Sequence, residues 1–199
     1  QLVEAGPAYP AEPPYLSENF EGNGLNGWLL TEPGADWSAS APDDADVYNP
    51  HVVANQPHGG KKCLKMAGNW GMLDRPFAES ITDCVVTAWF RDVPTRKKSG
   101  RMIMLVGKGN RRAGIGTHKE SSSHFAAFLG HKVKISGVPR DSEWHEAKWE
   151  VIEGKGVKCY IDGNLVGEID SLDAFHSIRL GQGFWGASTF YIDDIQIDR

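Results

Sequence analysis

The chain has 199 residues, 40% of them hydrophobic and 24% charged, which is typical of one globular domain. Its net charge of −5 argues against general affinity for nucleic acids. No apolar run reaches the roughly 18 residues that a membrane-spanning helix needs, so we expect no membrane insertion.

The first 16 residues contain four prolines and no hydrophobic period, which predicts a linker or a strap along the surface. The chain starts at Gln1, without an initiator Met or a signal-peptide pattern. We therefore expect this segment to follow another domain of a larger protein, and residues 17–199 to form one domain.

Short apolar and β-branched runs follow, separated by turn residues, and none keeps a helical period. Asp162, Gly163 and Asn164 predict a tight hairpin turn. Strands of this number and spacing predict an all-β protein with an antiparallel sandwich or barrel. The predicted strands are 62–67, 83–91, 101–106, 125–129, 132–135, 145–152, 157–162, 164–169, 176–180 and 189–197.

Alternation along two of these strands predicts which residues face the core. Strand 83–91 is largely apolar at both alternating sets, which indicates a central strand covered on both sides, with Trp89 in the core. In strand 145–152, His145 and Trp149 are predicted to face inward and Trp144 outward. Trp28 is also assigned to the core.

Three cysteines, Cys63, Cys84 and Cys159, lie in predicted strands without the spacing of a zinc site. Their residue types fit three small buried apolar side chains. A disulfide between Cys63 and Cys84 is the alternative, and the odd count leaves one thiol unpaired in that case.

The closing strand FYIDDIQI, residues 190–197, carries two adjacent carboxylates. Regular alternation places Asp193 on the same face as Ile195 and Ile197, and therefore toward the core. A buried carboxylate is costly without a partner, so Asp193 needs a hydrogen-bond donor, a cation or a metal.

Three stretches resemble the opening, second and closing strands of jelly-roll carbohydrate-binding modules: NFEGNGLNGW at 19–28, GGKKCLKMAG at 59–68 and FYIDDIQI. Residues 143–169, EWHEAKWEVIEGKGVKCYIDGNLVGEI, resemble the signature of concanavalin A-like and laminin-G-like domains. The resemblance implies an antiparallel β-sandwich of the concanavalin A-like, jelly-roll kind.

In many such domains, carboxylates of the first and last strands hold a structural calcium ion. The resemblance implies Glu21 and Asp193 as ligands, with Asp194 or a backbone carbonyl near Asn23 adding oxygens of the kind that Ca²⁺ prefers. The residues alone leave an alternative open: Glu21 and Asp193 accept hydrogen bonds or pair with Lys or Arg.

Residues 96–112 carry seven positive charges and no acidic residue. Arginine binds carboxylate and sulfate groups in a bidentate way, which favours an anionic glycan as ligand. The alternative is a solvated segment that keeps the domain soluble. The candidate binding residues here are Arg96, Lys98, Arg111 and Arg112.

Sugar rings stack on exposed aromatic side chains, and the chain has seven tryptophans. Trp37, Trp70 and Trp185 lie in polar or Gly-rich surroundings, which makes them candidate platforms for a glycan, with Tyr48 beside them. Burial beneath a loop is the alternative for each.

The sequence lacks the catalytic signatures of enzymes with this kind of fold. The Glu-x-Asp-x-Glu cluster of concanavalin A-like glucanases and the Gln-Ile-His strand of alginate lyases are missing. NGLNGW at 23–28 is similar to the opening of keto-disaccharide hydrolases, but Trp144-His145 replaces their Trp-Asn pair. No catalytic residue is assigned.

The sequence therefore favours a non-catalytic carbohydrate-binding module of a secreted, periplasmic or cell-surface protein, with a polysaccharide or oligosaccharide as partner. A glycoside hydrolase or polysaccharide lyase of the same superfamily is one alternative. A laminin-G-type protein-interaction domain is the other.

Overall fold

The computed structural model describes residues 14–22, 25–31, 50–54, 56–66, 72–93, 100–181 and 189–199. These ranges contain one short 3-10 turn, Lys108–Asn110, and no helix long and apolar enough to span a membrane. Their strands are β1 Leu16–Glu18, β2 Leu29–Thr31, β3 His51–Val53, β4 Cys63–Met66, β5 Met72–Ile81, β6 Cys84–Val93, β7 Met102–Val106, β8 Arg112–His118, β9 Ser121–Leu129, β10 Lys132–Pro139, β11 Trp144–Ile152, β12 Gly156–Ile161, β13 Asn164–Ile169, β14 Phe175–Leu180 and β15 Thr189–Asp198.

Two antiparallel sheets form a sandwich, as the sequence predicts. The first sheet has the order β13-β12-β11-β6-β15-β4-β3, with β1 paired to β15. The second sheet has the order β10-β9-β8-β7-β14-β5-β2. The first and last described strands therefore lie side by side in the first sheet.

The core lies between the sheets and is built from the inward-facing side chains of both. Phe90 of β6 contacts Phe125 of β9 across the sandwich, with ring centroids 5.0 Å apart. Trp149 is fully buried and Trp28 is 7% exposed, which confirms both as core residues.

The opposite face of β6 is not covered as predicted. Val85 is 36% exposed and Trp89 is only partly buried, so the assignment of Trp89 to the core is wrong. The central position of β6 between β11 and β15 is confirmed. The apolar residues on its outer face are instead partly solvent-exposed.

Strand β15 contains a β-bulge, after which the side chains that face the core and those that face outward exchange places. Asp193 pairs with Trp89 and Gln196 with Thr87, so β15 has one residue more than β6 over this stretch. Asp194 adopts a left-handed conformation with a φ of 48°. Asp193 therefore lies on the outer face with Trp89, while Ile195 and Ile197 face the core. The expectation that all three share one face is wrong.

The predicted hairpin turn between β12 and β13 is confirmed. Asp162 and Gly163 both have positive φ, at 49° and 76°, which a type I′ turn requires at its two central residues.

The three cysteines are buried and are not joined by a disulfide, as the first interpretation expects. Burial raises the pKa of Cys63 and Cys159 to about 12 and that of Cys84 to about 11. A thiol reacts through its thiolate, which such pKa values make scarce.

We predict that a disulfide-exchange reagent labels the native protein slowly at mildly alkaline pH and labels three thiols per chain after unfolding without reductant. Spectrophotometric thiol titration measures both. Fewer than three thiols in the unfolded protein would reveal a disulfide and contradict the prediction.

Candidate functional site

The loop between β3 and β4 crosses the outer face of the first sheet, and its residues 56–62 are called the crossing loop below. Asp193, which is fully buried, accepts hydrogen bonds on Oδ2 from the backbone N–H groups of His58 (3.0 Å) and Gly59 (3.2 Å). Its Oδ1 accepts a third from the N–H of Asp194 (3.0 Å). Burial raises the pKa of Asp193 to about 6, against the lowering effect of these N–H donors.

Glu21 holds the other half of the crossing loop. Its Oε1 accepts hydrogen bonds from the N–H groups of Lys61 and Lys62, the latter at 2.7 Å, and these donors lower the pKa of Glu21. The Lys62 ammonium donates to the backbone carbonyls of Glu21 (3.3 Å) and Gly22 (3.4 Å). A carboxylate from the segment after β1 and one from the last strand thus meet at one loop.

Two glycines permit this close approach. A Cβ on Gly59 would lie 2.7 Å from Asp194 Oδ2. A Cβ on Gly60 would lie 2.3 Å from Glu21 Oε1, and Gly60 also has a φ of 56°, which disfavours other residues. The crossing loop therefore has little space for side chains where it meets the carboxylates.

These contacts do not fit a calcium site. Calcium takes about six to eight oxygen ligands, whereas Asp193 Oδ2 and Glu21 Oε1 each already accept two backbone N–H groups. Within the described ranges, no group of three or more His, Cys, Asp or Glu residues could hold a metal ion. Asn23 lies outside those ranges, so calcium stays a prediction that the described contacts do not support.

Three aromatic side chains lie together where the crossing loop covers the first sheet; we call His58, Trp89 and Trp144 the ring shelf. The imidazole of His58 stacks on Trp89 with centroids 3.8 Å apart and planes 12° apart. Trp144 meets His58 edge-on at 5.6 Å. His58 Nδ1 is hydrogen-bonded to Asp194 Oδ2 at 2.9 Å, which fixes the plane of the ring.

Polar groups flank the ring shelf. Arg91 Nη1 donates to Gln56 Oε1 at 2.9 Å, and Arg91 Nε donates to the carbonyl of Ser142 at 2.5 Å. Trp89 and Trp144 are partly exposed, and the His58 side chain is 29% exposed. The shelf combines fixed aromatic surface with hydrogen-bonding groups, the pairing that sugar-binding sites use.

Two predicted glycan-binding residues lie elsewhere. Arg111 donates to the carbonyl of Ser171 at 2.6 Å, and Arg112 donates to Asn110 Oδ1 from both Nε and Nη2. Arg112 pairs with Val106 at the end of β7, while Arg91 pairs with Trp144 near the other end of the sandwich. The structure does not bring these arginines to the ring shelf.

The other predicted glycan-binding residues lie outside the described residues: Trp37, Tyr48, Trp70, Trp185, Arg96 and Lys98. Four of the described residues next to these undescribed segments are Thr31, Met72, Val93 and Thr189, and they pair with one another at one end of each sheet. Thr31 pairs with Met72 in the second sheet, and Thr189 pairs with Val93 in the first. Trp144 pairs with Arg91, two residues before Val93, so the ring shelf lies toward that end.

A histidine clamp and a buried ion pair complete the polar interior. His145 is hydrogen-bonded through Nδ1 to Asp162 (2.6 Å) and through Nε2 to Asp141 (2.9 Å). Asp92 binds the guanidinium of Arg140, with both side chains buried. These contacts tie loops to strands, and His145 is buried against Phe90 and Phe125, as its predicted inward orientation requires.

A cleft of about 270 Å³ opens between β10 and β13, the edge strands of the two sheets. Ile135 and Leu165 line it and are 40% and 53% exposed. None of the sequence-predicted site residues that the structure describes lines this cleft.

No family model matches the chain, and no curated protein matches it. Solved structures do share its fold. "Cellulose induced protein, Cip1" matches with a TM-score of 0.64 at 13% identity, over 92% of this chain and 96% of that one. An endo-beta-1,4-glucuronan lyase from the fungus Trichoderma reesei matches with a TM-score of 0.59 at 12% identity, over 94% and 95%.

A third structure comes from work on endo-acting O-glycanases of the human gut microbiota, with a TM-score of 0.64 at 10% identity, over 94% of this chain and 99% of that one. At such identities the likeness shows the fold alone. It confirms the jelly-roll, concanavalin A-like architecture that the sequence motifs resemble.

We predict that Gly60→Ala destabilises the protein more than Gly154→Ala does. Both glycines have positive φ, but a Cβ on Gly154 meets nothing within 4 Å, whereas one on Gly60 meets Glu21. Each change costs roughly 1–2 kcal/mol for the backbone conformation, and Gly60→Ala adds the contact with Glu21. Thermal unfolding measures the difference, at about 2–4 °C per kcal/mol for a chain of this size.

A double variant isolates the cause. In a Glu21→Ala background the carboxylate is gone, so Gly60→Ala should cost no more than Gly154→Ala. Equal costs of the two glycine changes in the wild-type background would show that Glu21 does not meet Gly60 in solution.

Proposed function

We propose that this domain is a non-catalytic carbohydrate-binding module that binds a polysaccharide or oligosaccharide on the ring shelf. The stacking of His58 on Trp89 beside Trp144 is the observation that carries the proposal. Such a module works on glycans outside the cell, so the proposal includes a secreted, periplasmic or cell-surface protein.

The ring shelf offers an aromatic surface whose side chains are already held in place. The C–H face of a sugar ring packs against an aromatic face, and the shelf holds its rings in place before the ligand arrives. Asp194 fixes His58, and the pairing of β6 with β11 places the two indoles at diagonal positions on one face of the sheet. Binding therefore costs little side-chain entropy.

The fold comparisons support a carbohydrate-related role, because the names of several similar structures refer to glycan-degrading enzymes. They do not separate binding from catalysis. Three described carboxylates near the shelf already have partners: Asp193 and Glu21 accept backbone N–H groups and Asp194 bonds to His58, which favours binding.

The charge around the shelf favours a neutral sugar there. Asp194 bonds to His58, and Glu146 pairs with Trp89 across the strands. An anionic glycan would face these carboxylates, while the guanidinium of Arg91 beside the shelf is already bonded to Gln56 and Ser142. We retain anionic glycans as a ligand class for Arg111 and Arg112, which lie near the end of β7, away from the ring shelf.

The test is native affinity electrophoresis in gels that contain neutral or acidic polysaccharides, with the same mixtures assayed for new reducing ends and unsaturated products. We expect retardation by a neutral polysaccharide without product. Trp144→Ala and His58→Ala should each weaken retardation by about tenfold, which corresponds to about 1.4 kcal/mol, a typical loss for a stacking contact.

Leu165→Ala is the matched control, because it removes an exposed apolar side chain from the β10–β13 cleft on the far edge of the first sheet. It should leave retardation unchanged, and circular dichroism should confirm the fold of every variant. Loss of binding in Leu165→Ala but not in Trp144→Ala would overturn the shelf as the site.

Other outcomes identify other functions. Product formation would replace the proposal with a hydrolase or lyase. Retardation only by acidic polysaccharide, abolished by Arg111→Glu with Arg112→Glu, would move the site to the arginines. An absence of both retardation and product across the panel would contradict the proposal and favour a laminin-G-type protein-interaction domain.

A further inference from the structure

The crossing loop carries His58 to the ring shelf, and its conformation needs support. Gln56 has a φ of 71° and Gly60 a φ of 56°, both in the left-handed region. Ordering a loop costs roughly 1–2 kcal/mol of backbone entropy per residue. Some set of contacts must offset that cost.

Two carboxylates supply those contacts. Asp193 binds the N–H groups of His58 and Gly59, and Glu21 binds those of Lys61 and Lys62. Four of the five backbone N–H groups from residue 58 to residue 62 therefore donate to a carboxylate. Two donate to Asp193 of the last strand, and two donate to Glu21 of the segment after β1. Hydrogen bonds to an ionised acceptor are about twice as strong as neutral ones.

A bound cation would compete with this arrangement. An N–H group carries partial positive charge and cannot coordinate a metal, so a calcium ion at Asp193 Oδ2 or Glu21 Oε1, each of which accepts two N–H groups, would have to displace one of these donors. Lys62 already places a positive charge beside Glu21: its ammonium binds the carbonyls of Glu21 and Gly22, and its charge helps to lower the pKa of Glu21.

We propose that Glu21 and Asp193 are positioning residues that fix the crossing loop, and with it His58, by binding its backbone directly, with no requirement for calcium. The link to ligand binding rests on the function proposed above. The anchoring of the loop does not rest on that function, and it can be measured without any glycan.

The first test is metal dependence. Thermal unfolding of the purified domain is followed with EDTA, with calcium chloride and with neither, and calorimetry is used to titrate calcium alone. We expect the same Tm in all three conditions and no binding heat. A Tm that falls with EDTA and recovers with calcium would overturn the proposal.

The second test reports the position of His58 without any glycan. Trp89 lies 3.8 Å from the imidazole, so its ring current should shift the carbon-bound imidazole protons of His58 upfield in a ¹H–¹³C NMR spectrum. Glu21→Gln and Asp193→Asn should move these signals toward the positions of an exposed histidine. His58→Ala identifies the signals.

Asp198→Asn is the matched control, because Asp198 lies on the same strand, is exposed, and its carboxylate accepts from Gln196. It should leave the His58 signals in place. If Asp193→Asn does not fold, Glu21→Gln carries the test, since Glu21 lies outside the core strands. Unchanged His58 signals in a folded Glu21→Gln variant would overturn the proposal.

Glycan binding then separates the two proposals. If the domain binds glycan, Glu21→Gln should weaken retardation by about tenfold, and adding it to His58→Ala should cause little further loss, because both act through one ring. Full additivity would contradict the positioning role. Displaced His58 signals without any glycan binding would sustain the anchoring and reject the function.

Discussion

The buried carboxylate of Asp193 is the constraint on which the surface of the first sheet depends. A charge removed from water must be paired or hydrogen-bonded, and Asp193 is fully buried beneath the crossing loop. Its three N–H donors come from His58, Gly59 and Asp194. Satisfying one carboxylate thus determines the path of the loop, the position of His58 and the bulge in β15.

The bulge in β15 explains how one strand can present Asp193 on the outer face of the sheet and still direct its last isoleucines into the core. Strict alternation would bury Asp193 between the sheets, where no partner is available from its own strand. The extra residue at Asp194 turns Asp193 outward and returns Ile195 and Ile197 to the core. Asp194 then bonds to His58, so both aspartates act on the crossing loop.

The sandwich was predictable because apolar alternation and turn residues recur along most strands, and the β13 prediction has the observed bounds. Two long strands escaped detection. Strand β5 contains Pro76, which lies at a register shift opposite Ser177 and beyond the residues that pair with β2. Strand β8 reads RAGIGTH, and its glycines hide the alternation of Ala113 and Ile115 toward the core.

The site was predictable only in part. The sequence indicated that Glu21 and Asp193 act together, yet the partners are backbone N–H groups, which every sequence contains and no motif marks. Trp89 was misplaced because a tryptophan in an apolar strand resembles a core residue, and the histidine that covers it lies 31 positions away in a loop. Of the three shelf residues, Trp144 alone was predicted to face outward, as it does.

The central claim is that a glycan binds on the ring shelf, and the indole N–H signals of the tryptophans test it most directly. A ¹H–¹⁵N NMR titration would use the oligosaccharide whose polymer retards the domain in affinity gels. We expect the signals of Trp144 and Trp89 to shift in a saturable way, while those of the buried Trp28 and Trp149 stay in place. Saturable binding that leaves both shelf indoles unchanged would contradict the account.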